Sequence, residues 1–353
     1  MKRILKQFWQ RLIDLARLYH PKTLKQQGPI WATALALVTV SVFLLFLTWI
    51  WSQEPDRFDV HQASARMVGE LEVEPVTGMI TVATAIEVVN VLLEKPGGYL
   101  SNDKMPPGLW MDNIPSWEFG VIVQLRDLAR ALRNDMSRSQ SQSMEDKDLA
   151  AAEPLFNFDN NSWLFPPTER RYRKGAQALK RYLKRMTSQD ERRAQFFSRA
   201  DNLRKWLEVV ETRLGGMSQR LSASIGQVRV NTDLAGDSEA QQATPTPGVM
   251  VIKTPWLEID DVFYEVRGGT WALIHFMQAI EYDFRDVLKK KNAQISLRQI
   301  IRELEGAQQP VWSPMVLNGS GYGLVTNYSL IMASYISRAN AAVIDLRNLL
   351  SQG

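Results

Sequence analysis

The pattern of apolar and polar positions divides the chain into two unequal parts. Residues 30–51, IWATALALVTVSVFLLFLTWIW, run for 22 positions without a charge. As a helix this is about 33 Å of apolar rod, enough to cross the hydrocarbon core of a bilayer. Trp31 stands at one end and Trp49 with Trp51 at the other, the depths that amphipathic rings prefer. The rest of the chain carries shorter, interrupted patterns.

Ahead of this run, Ile4, Leu5, Phe8, Trp9, Leu12, Leu15, Ala16 and Tyr19 recur at three- and four-residue spacing, with Lys6, Arg11, Asp14 and Arg17 away from them. That is a basic amphipathic helix, which beside a membrane span lies in the interface. After the run, residues 57–70 read as a short helix or stalk. Residues 79–95 are apolar on nearly every side, with Thr84, Glu87, Asn90 and Glu94 as one polar stripe, the signature of a buried helix with one wet edge. Residues 95–121 hold four prolines and four glycines among Tyr99, Leu100, Leu109, Trp110, Met111, Ile114 and Trp117, so a loop packed onto the body is expected. Further helices are predicted over 117–134, 168–186 with Thr168 as N-cap, and 188–227, started by Thr187 and Asp190 and bent at Gly215-Gly216. More follow over 256–291 with a break at Gly268-Gly269, 296–304, and 324–350. Residues 137–147 read as a solvated low-complexity stretch, 155–165 as a second aromatic-rich connection, and 231–255 as a long loop. No sustained strand alternation with hairpin chemistry occurs and no long repeat is found. The expected class is all-α: one N-terminal transmembrane helix, then an irregular multi-helix body.

Charge fixes the expected topology. The net charge of +4 splits into +6 before Ile30 and −2 after it, and only Arg57 and Arg66 follow within about 20 residues of Trp51. Positive residues are retained on the cytoplasmic side. The reading is therefore a cytoplasmic segment 1–29, a signal anchor 30–51 and an exported body 52–353. A cleaved signal peptide would have an h-region of about 7–15 residues and an A-x-A-like site; the sequence has neither. The basic pI reflects the short tail and gives no support for nucleic-acid binding. With no cysteine, the body has neither disulfides nor thiolate chemistry.

The segments PGGYLSND (96–103), PPG (106–108) and MDNIPSWEFGV (111–121) resemble the central motif block of a family of proteobacterial inner-membrane proteins classed as a domain of unknown function. The resemblance extends over nearly the whole chain, N-terminal anchor included. It implies a bacterial inner-membrane location, and it brings no activity, substrate or catalytic residue with it.

Candidate chemistry is sparse. Glu87, Glu118, Glu265 and Glu281 sit among apolar or aromatic neighbours, as does the general acid of helical lytic transglycosylases. However, no Glu-Ser pair opens a following helix, FMQ at 276–278 only partly matches Gly-Leu-Met-Gln, and NGSGYG lacks the Ala-Tyr-Asn order. The bland reading of each is a salt-bridged or solvent-edge residue. His20, His61 and His275 form no i, i+4 pair, so no metal site is expected and His275 reads as a hydrogen-bonded core residue. GSGYG at 319–323 lacks a preceding strand and a following Lys-Ser or Lys-Thr, so neither nucleotide nor other cofactor is implied. Residues 169–220 hold 15 basic and 6 acidic positions, either a solvated face or a surface for an anionic partner. Arg170, Arg173, Lys174, Arg181, Lys184 and Arg185 are spread around its first helix. The best candidate partner surface is the aromatic loop, through Tyr99, Asn102, Asp103, Trp110, Asp112, Asn113, Trp117 and Glu118; its bland reading is an irregular lid over the core. The sequence thus points to a non-catalytic, membrane-anchored envelope scaffold with a lipid bilayer and an envelope protein or cell-wall component as partners. The alternative is a glycan-cleaving periplasmic enzyme using a buried Glu.

Overall fold

In the computed structural model the described residues are 10, 19–71, 76–139, 144–187, 194–230, 248–311, 313, 315–320 and 323–352. The amphipathic segment 2–20 lies almost entirely outside them, as do Asp190 of the expected capping pair, residues 140–143 of the low-complexity stretch and residues 231–247 of the long loop. Twelve α-helices occur among the described residues, and the fold is all-α with one N-terminal apolar helix.

A short helix α1 (Pro21–Gln27) precedes α2 (Pro29–Trp51), which Gly28 at φ 87° and Pro29 start and Ser52 ends. None of α2 is buried, and it is long and apolar enough to cross a membrane. Three of its four hydroxyls are satisfied internally: Thr33, Thr39 and Thr48 each donate to the carbonyl four residues back, at 3.0, 2.7 and 2.9 Å. Hydrocarbon would otherwise leave them unpaired.

The body places α4 (Met79–Glu94), α5 (Asn113–Ala131) and α9 (Ile259–Asp283) at its centre. Packed on α4 and α5 are α3 (Val60–Leu71), α6 (Lys147–Phe156) and α7 (Thr168–Met186). On the other flank, α8 (Ala200–Ser222), α11 (Gln294–Ala307) and α12 (Tyr328–Ser351) pack together, and a short α10 (Arg285–Lys290) leads into α11. Trp117, Trp206 and Trp271 with Tyr172, Tyr182 and Phe156 are the largest side chains wholly inside. On α4 the expected wet edge is present in half-buried Glu87 and Asn90 and exposed Glu94, while Thr84 is buried.

The expected break at Gly268-Gly269 does not occur: α9 is continuous. These glycines serve close packing instead. A Cβ on Gly268 would stand 1.9 Å from the Trp117 carbonyl oxygen, and one on Gly120 would stand 1.9 Å from that of Glu265. Backbones therefore touch where α5 crosses α9. The two helices run parallel, since Ser116 pairs with Asp261 at 3.0 Å, Gly120 meets Glu265 and Gln124 lies against Gly269. Their N-termini share one end of the body.

Other boundaries moved for local reasons. The first helix of the body begins at Val60, after an extended segment 52–59 that is held against the core. Helix α5 starts at Asn113, capped by Asp112, and ends in a π-turn, Leu132–Met136. Thr168 is the first residue of α7, preceded by Pro167 as cap; its hydroxyl instead donates to the Asp159 carbonyl at 2.7 Å, pinning the 155–166 connection. Helix α8 starts at Ala200 because 194–199 are tied to the core: the Phe197 N–H donates to the Met136 carbonyl at 2.6 Å, and Phe196 packs on Phe284. Helix α8 continues through Gly215-Gly216. At the end of the chain Asn327 caps α12 through Leu330 N–H at 2.9 Å, leaving Leu324 outside the helix. The start of α4 is capped from a distance. Asp283 accepts from Gly78 N, Thr81 N and Thr81 Oγ1 at 2.8, 2.7 and 2.6 Å. The expected helix to 227 ends at Ser222, and residues from its expected end and from the expected 231–255 loop form a two-stranded antiparallel ribbon, β1 (Gln227–Val230) with β2 (Val249–Ile252). Four residues per strand and a long connection give too weak a sequence signal to predict.

The glycine crossing yields a test. In an isolated helix Gly→Ala gains about 1 kcal/mol, but here the methyl meets backbone that cannot rotate away, and overpacking of this kind costs about 1–3 kcal/mol or more. Gly268→Ala and Gly120→Ala are each expected to lower thermal stability, whereas Gly216→Ala, with open space around it, should be neutral or stabilising in the same melts.

Candidate functional site

Structure divides the aromatic loop into an inner and an outer half. Glu118, fully buried on the first turns of α5, pairs with buried Lys95 at 2.5 Å and accepts from Leu100 N, Ser101 N and Ser101 Oγ at 2.8, 2.8 and 2.5 Å. Lys95 also donates to the Gly98 carbonyl. This pair closes the 95–101 turn like a clasp. Tyr99 donates to the Asn160 carbonyl at 2.8 Å and meets Tyr172 edge-on; burial pushes its phenol well above the ordinary range. Asn102 donates to the Ser162 carbonyl and to Glu169, both at 2.8 Å. Trp117 lies against Trp271, with ring centroids 5.2 Å apart. These four candidate contacts face the interior, and Tyr99 and Asn102 tie the two aromatic loops together.

Of the other four, Trp110 and Asp112 are exposed, while Asp103 and Asn113 are half-buried. Trp110 is 64% exposed, and Leu109 and Met105 beside it are exposed as well. Asp103 accepts from Met105 N at 3.1 Å, and Asp112 accepts from Asn113 N at 2.9 Å. Across the joined N-termini of α5 and α9, Asp261 has its carboxyl pushed up by burial and by Asp112, Asp260 and Glu258 around it, against the Ser116 hydrogen bond.

Each carboxylate considered as a general acid is engaged by a cation: Glu87 by Arg66 at 2.9 Å, Glu118 by Lys95, and Glu265 and Glu281 by Arg220 and Arg298 at 2.6 Å. In the basic region 169–220 some cations are paired, although Arg181 and Arg213 remain exposed. Arg181 and Arg185 hold Asp148 and Asp146, and Arg213 holds Asp127. Arg170, Arg173, Lys174 and Lys184 are exposed.

A feature that sequence reasoning missed is the docking of segment 52–59. Glu54 receives both arms of the Arg267 fork at 2.6 Å, Arg57 reaches Glu305 at 2.8 Å, and Phe58 stacks on His275 with centroids 4.0 Å apart. The Phe58 N–H donates to His275 Nε2 at 3.1 Å, and the other ring nitrogen donates to the Trp271 carbonyl at 2.7 Å. That assigns a neutral imidazole with its proton on Nδ1. His275 is the buried, hydrogen-bonded core residue expected, and its partner is the juxtamembrane chain. Beside it Phe58, His61, Glu281, Tyr282, Arg298 and Glu305 line an open cleft of about 440 Å³. His61 and Glu281 share this cleft across 220 positions of sequence, so no local pattern could have joined them. Among the described residues no group of His, Asp or Glu is arranged to hold a metal ion.

The fold and site define an all-α protein whose single N-terminal apolar helix is locked to a helical body through the segment that follows it. Residues 24–353 match the model of a family described as "Uncharacterized protein conserved in bacteria (DUF2333)", and the chain belongs to that family. No curated protein and no solved structure matches.

Two outcomes follow. Glu118→Gln strands the buried Lys95 ammonium and should destabilise the protein by about 3–5 kcal/mol, with Lys95→Met added on top recovering part of the loss in chemical denaturation. Burial pushes His275 down to about 4 from 6.5, so the unfolded chain takes up its proton first. Stability from this group is complete above about 6.5 and falls by about 1.4 kcal/mol per pH unit as pH drops towards 4. Denaturation profiles across that window should flatten in His275→Gln.

Proposed function

We propose that the protein is a single-pass bacterial inner-membrane protein with residues 1–29 cytoplasmic, 30–51 spanning the bilayer and 52–353 in the periplasm, acting as a non-catalytic interaction or scaffold component of the envelope. The charge split of +6 and −2 around the span supports this orientation. The observation that carries the functional reading is the locked segment 52–59, where Glu54, Arg57 and Phe58 fasten the exit of α2 to α9 and α11. A body held in one attitude beside the membrane suits a platform that presents a surface; an enzyme searching a polymer gains nothing from it. Confinement to the membrane plane raises the effective concentration of an envelope protein or cell-wall component at that surface. The outward half of the aromatic loop, around Asp103, Trp110, Asp112 and Asn113, is the surface presented, and the inward half, Tyr99, Asn102, Trp117 and Glu118, is the frame that holds it.

Glycan cleavage is the competing chemistry, and Gln substitutions separate the two. With Glu87, Glu265 and Glu281 changed one at a time, muropeptide release from purified sacculi should equal the unaltered protein's background. Glu118→Gln is read the same way, with its folded fraction measured alongside. Activity present in the parent and lost in one folded variant replaces the scaffold with an enzyme.

A further inference from the structure

The exposed apolar side chains of the body include a group at the start of α9, and the docked segment 52–59 supplies a ruler for where that group lies. Glu54 is fixed to Arg267 and Phe58 to His275. Four extended residues span about 13 Å, and the eight helical residues from Arg267 to His275 span about 12 Å. The chain leaving α2 therefore runs beside α9 and in the same direction. It follows that the N-terminal turns of α9, and of parallel α5, point back towards α2, with Trp256 and Leu257 about 15 Å before Arg267 along the axis. Trp51 itself lies against Gly97, in the loop clasped by Glu118 on the first turns of α5, so the same end is reached by a second contact.

At that end Trp256 and Leu257 are 72% and 76% exposed, and they line one hollow with Asp112 and Met315. Leu109 and Trp110 stand beside Asp112 in the chain. The β-ribbon is rooted alongside, through Thr254 N–H to the Ala223 carbonyl at 3.0 Å and Asn318 to the Ser224 carbonyl at 3.2 Å. Its pairs Val228 with Val251 and Val230 with Val249 put four exposed valines on one face. Contiguous apolar surface of this kind marks a protein or membrane contact, and Trp with branched aliphatics is the composition of an interfacial membrane contact.

We infer that the N-terminal end of α5 and α9, with the β-ribbon, rests in the outer-leaflet interface of the bilayer that α2 crosses. The occupant is a phospholipid surface, because the patch lies on the side of the body from which the apolar helix departs. Charge does not drive the contact: Asp112, Glu258, Asp260 and Asp261 at this end outnumber Lys253 and Arg229, so insertion is apolar and salt does not weaken it. The inference rests on α2 being a membrane anchor.

The chain has no cysteine, so single spin labels can be placed in the full-length protein reconstituted in nanodiscs of phosphatidylethanolamine and phosphatidylglycerol. Labels at Val42→Cys, Trp256→Cys, Val251→Cys and Ile295→Cys are compared by collision with oxygen, which enters lipid, and with a water-soluble nickel chelate. Ile295 is the reference for the far end, because α11 runs antiparallel to α9, with Glu305 at Arg57 and Arg298 at Glu281. The oxygen-to-nickel ratio should exceed that of Ile295 several-fold at Trp256 and Val251, at low and high salt alike. A lipid-like ratio at Val42 with water-like ratios at Trp256 and Val251 overturns the inference and leaves the anchor standing. A water-like ratio at Val42 overturns the anchor itself. In native membranes, a photocrosslinker at Trp256 that joins protein in place of lipid also overturns the bilayer as occupant.

Discussion

The backbone contact between α5 and α9 is the constraint on which the rest of the architecture depends. Gly120 and Gly268 remove the side chains that would hold these helices apart, and the parallel crossing then brings Trp117 onto Trp271 and Ser116 onto Asp261. From that crossing, Glu118 is set where it can clasp Lys95 and the turn at 95–101, and Arg267 and His275 are set in line to receive the chain that leaves α2. A larger residue at either glycine would displace both attachments at once. One packing decision thus controls the lid of the body and its link to the N-terminal helix.

Buried polar groups in this protein act as fasteners. Lys95 with Glu118, Glu54 with Arg267, and Asp283 with the first turn of α4 each join segments remote in sequence. Burial pushes the Asp283 carboxyl up, and donors from Thr81 and Gly78 oppose that shift. Such groups cost more when half removed than they contribute when intact, which gives them a role in fixing geometry rather than in adding stability. Glu87, Glu118, Glu265 and Glu281 are each paired with a cation as well.

A member of an uncharacterised bacterial family can still be given a physical role. Under the proposed topology, a rigidly attached body next to a bilayer has one face turned to lipid and others turned to the envelope. The cleft at Phe58, His61 and Tyr282 lies beside the docked segment and away from the apolar end. Polar recognition and membrane contact would then occupy different parts of one body, joined through α9.

The sequence by itself determined the apolar helix, the all-α class and the existence of most helices, because each rests on local periodicity and on the absence of charge over 22 positions. It also anticipated that the 95–121 segment packs down, which holds for Tyr99, Leu100, Ile114 and Trp117 but not for exposed Leu109 and Trp110. What it could not determine were properties of pairs. Whether Trp117 points in and Trp110 points out depends on which neighbour α5 crosses. Whether Gly268 breaks a helix or seats one depends on the backbone of Trp117, about 150 residues away. The pairing of Glu118 with Lys95 and the docking of Phe58 on His275 were equally invisible, for the same reason: tertiary structure alone decides which distant group meets which, and buried charge and backbone contact are energies of meeting.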